Sequence, residues 1–268
     1  MDLKLHDKTA FVSGSYRGTG FAIASALARE GALVAVHGFD DAPTKDAAER
    51  ICADGGRAVP VVGDILSDAG AREVMAATER TVGAVHVLVN NYGTADRGRW
   101  LDGPDEAGWT DAYNKNVLSA MRLTELFAPA MKARGWGRIV MLGTVGSTQP
   151  GHRMPGYYAA KGALATMTAS LAKGLARTGI TVNLVSPGLI RTREVEERFL
   201  AQGKREGWGE TWDEIEPRVL ENFMDNLTGH VPRVEEVADL VAFLASPRAG
   251  AITGVNYRVD GGSSALTI

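Results

Sequence analysis

The sequence predicts one α/β domain, a doubly wound sheet of about seven mostly parallel strands with helices on both faces. Three observations carry this. Short β-rich runs alternate with helical stretches along the chain, as successive βαβ units require. Several of those runs are apolar nearly throughout, the pattern of parallel strands covered on both sides. No linker, repeat or low-complexity tract divides residues 1–268.

Strands are expected at TAFVSG (9–14), LVAVHG (33–38), AVPVV (58–62), VHVLVN (85–90), RIVMLGT (138–144), TVNLVSP (181–187) and VNYRV (255–259). Helices are expected over 19–30, 43–54, 69–82, 105–134, 156–178 and 234–245, joined to the strands by right-handed crossovers. One stretch breaks the rhythm. Residues 191–232 are polar yet studded with Phe199, Trp208, Trp212, Phe223 and Met224. Such a long connection is expected to carry helices of its own and to act as a substrate lid, with surface decoration or a subunit contact as the alternative.

Composition narrows the function classes. With 45% apolar residues, 23% charged residues and a net charge of −3, the chain is ordinary for a globular protein and has no basic excess for nucleic acid. No run reaches the roughly 18 apolar residues of a membrane span, and MDLKLHDKTAFVSG has no signal-peptide h-region. A cytoplasmic location is expected. The single cysteine, Cys52, is expected to be a buried or half-buried structural thiol in a helix, and the five histidines show no metal-ligand spacing.

The first strand runs into SGSYRGTG (13–20), with Gly14, Gly18 and Gly20 ahead of the helical FAIASALAREG. Glycines let the backbone turn sharply and bring N–H groups close to a phosphate, and the helix N-terminus adds free donors and positive dipole potential. The spacing is G-x-x-x-G-x-G, not the general G-x-G-x-x-G. Further along come GDI (63–65), NNYG (90–93), Asn116 in NKNVLSA, SPGLIRT (186–192) and ITGVNYRVDGG. In order and spacing these resemble the short-chain dehydrogenase/reductase family, classical type, down nearly the whole chain. The resemblance implies a Rossmann-like fold and a nicotinamide dinucleotide held by Gly14, Ser15, Arg17, Gly18, Thr19, Gly20, Gly38, Phe39, Asp64, Ile65, Asn90, Tyr92, Gly93, Tyr157, Lys161, Pro187, Gly188, Ile190 and Thr192. Ser13 stands in place of the family's usual threonine, and Tyr92 in place of its alanine. That ring must either point away or narrow the cofactor cleft. NAD-preferring relatives end the second strand with an acidic residue. Gly38 stands there, and Arg17 is available to a 2′-phosphate, so NADP is expected and NAD is the alternative. Asp40 and Asp41 lie close enough to approach the ribose. His37 is expected to be solvated, with help in binding the phosphate as the alternative.

GYYAAKG (156–162) sets two tyrosines ahead of a lysine. Tyr157 is four residues before Lys161 and Tyr158 three, so helical geometry allows either to share its face. The family's Y-x-x-x-K spacing selects Tyr157. A free phenol, with a pKa of about 10, rarely ionises at neutral pH. A neighbouring ammonium and a cationic nicotinamide are expected to lower that value, letting Tyr157 act as general acid/base between a secondary alcohol and a ketone. Counting back thirteen residues to the family's serine gives Thr144, which keeps the hydroxyl but adds a methyl; Ser147 is three residues out of register. Asn116, whose alternative role is a capped or kinked turn within the long helix, completes the implied catalytic set of Asn116, Thr144, Tyr157 and Lys161. Substrate choice is expected from loop 145–156, Leu189 and the 191–232 segment, whose apolar side chains suggest a 3-oxoacyl, steroid or other lipophilic carbonyl substrate. A sensor or scaffold that binds the cofactor without turnover is the competing class. The resemblance also implies a homotetramer or homodimer, formed through 105–134, 156–178 and the last strand.

Overall fold

The computed structural model describes residues 2–95, 98, 100 and 103–264. Among these, β1 (Thr9–Val12), β2 (Leu33–Gly38), β3 (Arg57–Val62), β4 (Val87–Asn90), β5 (Gly137–Leu142), β6 (Ile180–Pro187) and β7 (Asn256–Val259) form one parallel sheet, ordered β3-β2-β1-β4-β5-β6-β7. Phe11 pairs in register with Ala35 on one side and Leu88 on the other. Every residue of β4, β5 and β6 is buried, which is why these strands read as unbroken apolar runs. Pro60 lies in β3, an edge strand whose free side needs no amide donor.

Successive side chains leave the sheet on opposite faces, so neighbours such as Phe11 and Val12 enter different cores. On one face Val12, Val36, Val89 and Val140 pack under α1 (Gly18–Arg29), α2 (Asp41–Ala53) and α9 (Val234–Ala245). On the other, Phe11, Leu88 and Met141 pack under α3 (Asp68–Val82), α5 (Ser119–Arg134) and α6 (Pro155–Gly174). Each fully buried residue such as Leu27, Ile23 or Leu123 contributes about 1.5–3 kcal/mol.

The helix expected over 105–134 is interrupted. It consists of α4 (Glu106–Tyr113), a π-helical segment Asn114–Leu118, and α5. The 191–232 segment carries two helices, α7 (Arg193–Glu206) and α8 (Trp212–Phe223). Their apolar faces close a small core of Phe199, Trp212, Ile215, Val219, Leu220 and Val231. Cys52 is exposed rather than buried, because it falls on the outer side of the last turn of α2, where its thiol donates to the Ala58 carbonyl (3.4 Å). None of the described helices is long and apolar enough to cross a membrane.

Candidate active site

The strand order reverses its direction of travel between β1 and β4, and ligands of open α/β sheets bind beyond the carboxyl ends of the strands at such a point. A cavity of about 590 Å³ lies there, running from Gly14, Tyr16, Arg17 and Gly18 past Phe39 and Tyr92 to Thr144, Tyr157 and Lys161. Thr19, Gly20, Gly93, Pro187, Gly188, Ile190 and Thr192 also line it.

The glycine loop is built from both flanking strands. Gly14 takes φ 61°, the left-handed region that a side chain resists, and a Cβ there would press on the Tyr92 ring at 3.2 Å. The Ser13 hydroxyl accepts the amides of Asn91 and Tyr92 (both 3.0 Å), so serine supplies what the family's threonine does. Asn91 Nδ2 donates to the carbonyls of Ser13 and Gly14 (2.9 and 3.0 Å). Arg17 makes no side-chain cap to α1, and no acidic residue occupies the first turn, which leaves the helix N-terminus open to an anion.

Several residues expected at the cofactor have side chains engaged elsewhere. Ser15 is fully buried, its hydroxyl donating to the Val12 carbonyl (2.7 Å), because the loop turns it back under β1. Asn90 is also buried and braces the sheet, donating to Thr124 (3.1 Å) and Met141 (3.2 Å). Ile65 belongs to the core. Asp64 is exposed at the β3–α3 turn and accepts the Leu66 amide and the Ser67 hydroxyl (both 2.7 Å). Gly38 is buried, and a Cβ there would overlap the Thr44 hydroxyl; the missing carboxylate therefore has a packing reason as well. His37 is not solvated. It is fully buried and lowered to about 4, chiefly by desolvation. Tyr92 does not point away: its ring lines the cavity, 4.9 Å from that of Phe39, and narrows it.

At the other end of the cavity, α6 carries Tyr157 and Lys161 on the face turned to the cavity. Tyr158 packs its ring over Gly146 and does not line the cavity. The Tyr157 and Thr144 hydroxyls are hydrogen-bonded, and Thr144 Oγ1 also accepts the Gly146 amide (3.2 Å). Ser147 turns back to donate to the Thr144 carbonyl (2.7 Å) and stays off the cavity wall.

Lys161 is 3% exposed and donates Nζ to the Leu142 carbonyl (2.8 Å); burial brings it down to about 8. Tyr157 is pushed up to about 12, first by burial and then by Tyr158, against the Thr144 hydrogen bond. The expected lowering joins the Lys161 ammonium to a cationic nicotinamide; the protein's own groups by themselves shift the phenol upward. Among protein groups the dry surroundings outweigh any pull from an ammonium that is engaged with a strand carbonyl.

Asn116 sits in the π segment, where local widening of the helix accompanies an inward-facing polar residue. Its amide donates to the carbonyls of Ala112 and Thr94 (both 2.9 Å), and its Oδ1 accepts the Thr94 amide (3.1 Å). Gly93 lies between Asn116 and Lys161. A Cβ there would overlap Asn116 Oδ1 and come within 2.7 Å of Lys161 Nζ, so only glycine lets the chain pass.

Thr192 caps α7 by accepting the Val195 amide (3.3 Å), and Glu194 in the next turn pairs with Arg17 (2.9 Å). The aromatics expected to give the substrate region an apolar wall serve mainly to hold α7 to α8: Phe199 and Trp212 are 1% and 4% exposed. Sequence reasoning did not single out Tyr16, Asn91, Thr94, Leu142, Gly143 or Glu194 as cavity residues. Asn91 had a signal in the NNYG motif; Glu194 had none, since its place depends on how α7 folds back.

A family model described as Enoyl-(Acyl carrier protein) reductase matches residues 14–264. The chain is 32% identical to D-beta-hydroxybutyrate dehydrogenase of Cupriavidus necator, over 96% of this chain and 98% of that one. It superposes with a TM-score of 0.90 on L-sorbose reductase of Gluconobacter frateurii, solved with NADPH and L-sorbose, at 29% identity over 99% and 100% of the two chains. A 7α-hydroxysteroid dehydrogenase solved with NADH and 7-oxo glycochenodeoxycholic acid is also similar, with a TM-score of 0.85, 26% identity and coverage of 97% and 96%. The motif order read from the sequence, the cavity at the switch point and full-length likeness to these oxidoreductases agree: the chain belongs to the short-chain dehydrogenase/reductase family.

Proposed function

We propose that the protein interconverts a secondary alcohol and a ketone with a nicotinamide dinucleotide, Tyr157 serving as general acid/base. The observation that supports this most is the joint position of Tyr157, Thr144 and Lys161 on the wall of a cavity that begins at the glycine loop. The cavity suits the cofactor: an open helix N-terminus faces the phosphate region, and Gly93 leaves backbone bare beside Lys161. Residues of the glycine loop, Phe39, Tyr92, Lys161 and Thr192 would hold it, with Gly38, Asp64, Ile65 and Asn90 shaping the strand ends behind them. When bound, it supplies or accepts the hydride.

The proton is handled by the chain. In reduction the Tyr157 hydroxyl donates to the carbonyl oxygen; in oxidation the same oxygen takes the proton from the alcohol. Thr144 holds the substrate oxygen and orients the phenol. Lys161, lowered to about 8, stays mainly cationic at neutral pH but titrates close enough to it to pass protons, and Asn116 fixes the Gly93–Thr94 backbone beside it.

We infer NADP in preference to NAD. Support comes from the absence of a carboxylate at Gly38 and from Arg17 on the rim; a 2′-phosphate must draw Arg17 from Glu194, an exposed pair that holds it with at most about 1 kcal/mol. Residues 191–232 are read as the lid, and the assembly as a homotetramer or homodimer through α5 and α6. The test is oxidation of NADPH and of NADH against hydroxybutyrate-type, 3-oxoacyl, steroid and polyol ketones. Turnover with at least one ketone, faster with NADPH, is expected. Cofactor binding without turnover of any ketone would contradict the catalytic reading.

A further inference from the structure

Behind the wall of the cavity, at its Gly14–Phe39 end, lies a buried titratable group that no step of the proposed chemistry uses. His37 precedes Gly38, the last residue of β2, and is fully buried. Its Nδ1 accepts the Gly14 amide (3.1 Å), and its Nε2 lies 3.1 Å from the Gly63 carbonyl. The first contact requires a bare Nδ1 and the second a protonated Nε2, so the ring is the neutral Nε2–H tautomer. The backbone adds two more ties: Ser15 donates its amide to the His37 carbonyl (2.8 Å), and the His37 amide donates to the Ser15 hydroxyl (2.9 Å).

We propose that His37 is a positioning residue, a rigid bridge between the glycine loop and the Gly63–Asp64 turn that sets the shape of the adenosine subsite; this rests on the cofactor reading above. Gly14 is gripped from two sides, its N–H by His37 and its carbonyl by Asn91. The left-handed Gly14 peptide is therefore fixed before any ligand arrives, which removes an ordering cost from binding. Phe11 and Phe39 hold the imidazole plane, with ring centroids 5.4 and 5.5 Å away. Phe39 in turn touches Tyr92, so the ring's orientation is transmitted to both aromatic walls of the subsite. Protonated His37 would turn a donor toward the Gly14 donor; burial keeps it neutral, with Asp64 the one nearby charge that favours the cation.

The test compares the parent with His37→Phe, which keeps the packing and loses both ring bonds, and His37→Gln, which can restore one. Dissociation constants are measured for NADPH, NADH, ADP-ribose and reduced nicotinamide mononucleotide, alongside cofactor KM and kcat. His37→Phe is expected to weaken the dinucleotides and ADP-ribose by roughly tenfold, the worth of a hydrogen bond lost in a dry site. Binding of the mononucleotide and kcat at saturating cofactor should stay near the parent's, and His37→Gln should recover part of the loss. Unchanged dinucleotide binding, or an equal loss for the mononucleotide, overturns the proposal. If His37→Phe does not fold, His37→Gln carries the same comparison. Imidazole ¹⁵N shifts of the parent at neutral pH give an independent reading, since an Nδ1–H or cationic ring also overturns it. A parent that binds no dinucleotide would instead sink the cofactor reading, whatever the tautomer.

Discussion

At the scale of single residues, the departure at position 144 decides whether the oxidoreductase chemistry is intact. Thr144 stands where the family resemblance implies a serine, and its hydroxyl is bonded to that of Tyr157 while its backbone carbonyl is taken by Ser147. The Gly146 amide also donates to Oγ1 and helps to set its direction. Thr144→Ser is therefore expected to keep the parent's kcat/KM. Thr144→Val, with the same shape but no hydroxyl, should lose about 10²-fold, the usual worth of one donor at a developing oxyanion. Steady-state kinetics with a responding ketone measure both; equal rates for Val and Ser would remove Thr144 from the site. Residue identity was legible in the sequence because the register to Tyr157 is a count. The acidity of Tyr157 was not, since its direction depends on how dry the site is, and dryness is set by residues far apart in sequence.

At the scale of elements, the unexpected features are the π segment and the small core under residues 191–232. The helix pattern over 105–134 was legible from periodicity and a kinked turn at Asn116 was the alternative reading there, but one extra residue in a turn leaves apolar spacing nearly unchanged, so the π form itself was not legible. Similarly, Phe199 and Trp212 announced buried surface without saying against what. They bury against one another. Close packing depends on Gly203, a helix-interior glycine whose added Cβ would meet Ile215 Cγ2 at 2.6 Å. Gly203→Ala gains up to about 1 kcal/mol of helix propensity. Overpacking against Ile215 costs about 1–3 kcal/mol and should win. Faster amide exchange in 193–223, with the sheet unchanged, and a raised ketone KM are the expected results. Slower exchange throughout α7 and α8 would show that the contact relaxes freely.

At the scale of the whole molecule, the strand order, the two cores and the convergence of strand ends on one cleft were all readable in advance, because doubly covered parallel strands and βαβ alternation leave few other topologies. The buried titratable group was less readable: HGFDD looks like a solvated strand end, yet His37 is sealed beneath it. This has a consequence for stability. His37 titrates near 4 in the fold against an ordinary 6.5, so the unfolded chain takes up more protons between these values. Its contribution is full above pH 6.5 and is lost as pH falls toward 4. From about pH 7.5 to about pH 5 the loss from this group is roughly 2 kcal/mol. His86, also lowered to about 4 chiefly by burial, works in the same direction. Urea unfolding at the two pH values should show the decline, and His37→Phe should show a shallower one. A decline of equal depth in that variant would mean the histidine is solvated in solution.

The central claim is that the phenol of residue 157, and not its neighbour, moves the proton. It is tested most directly by kcat/KM of Tyr157→Phe beside Tyr158→Phe, with cofactor affinity measured for each. Tyr157→Phe is expected to bind cofactor normally and to lose turnover by about 10²–10⁴-fold, while Tyr158→Phe stays close to the parent. Turnover retained in Tyr157→Phe, or lost only in Tyr158→Phe, would contradict the assignment.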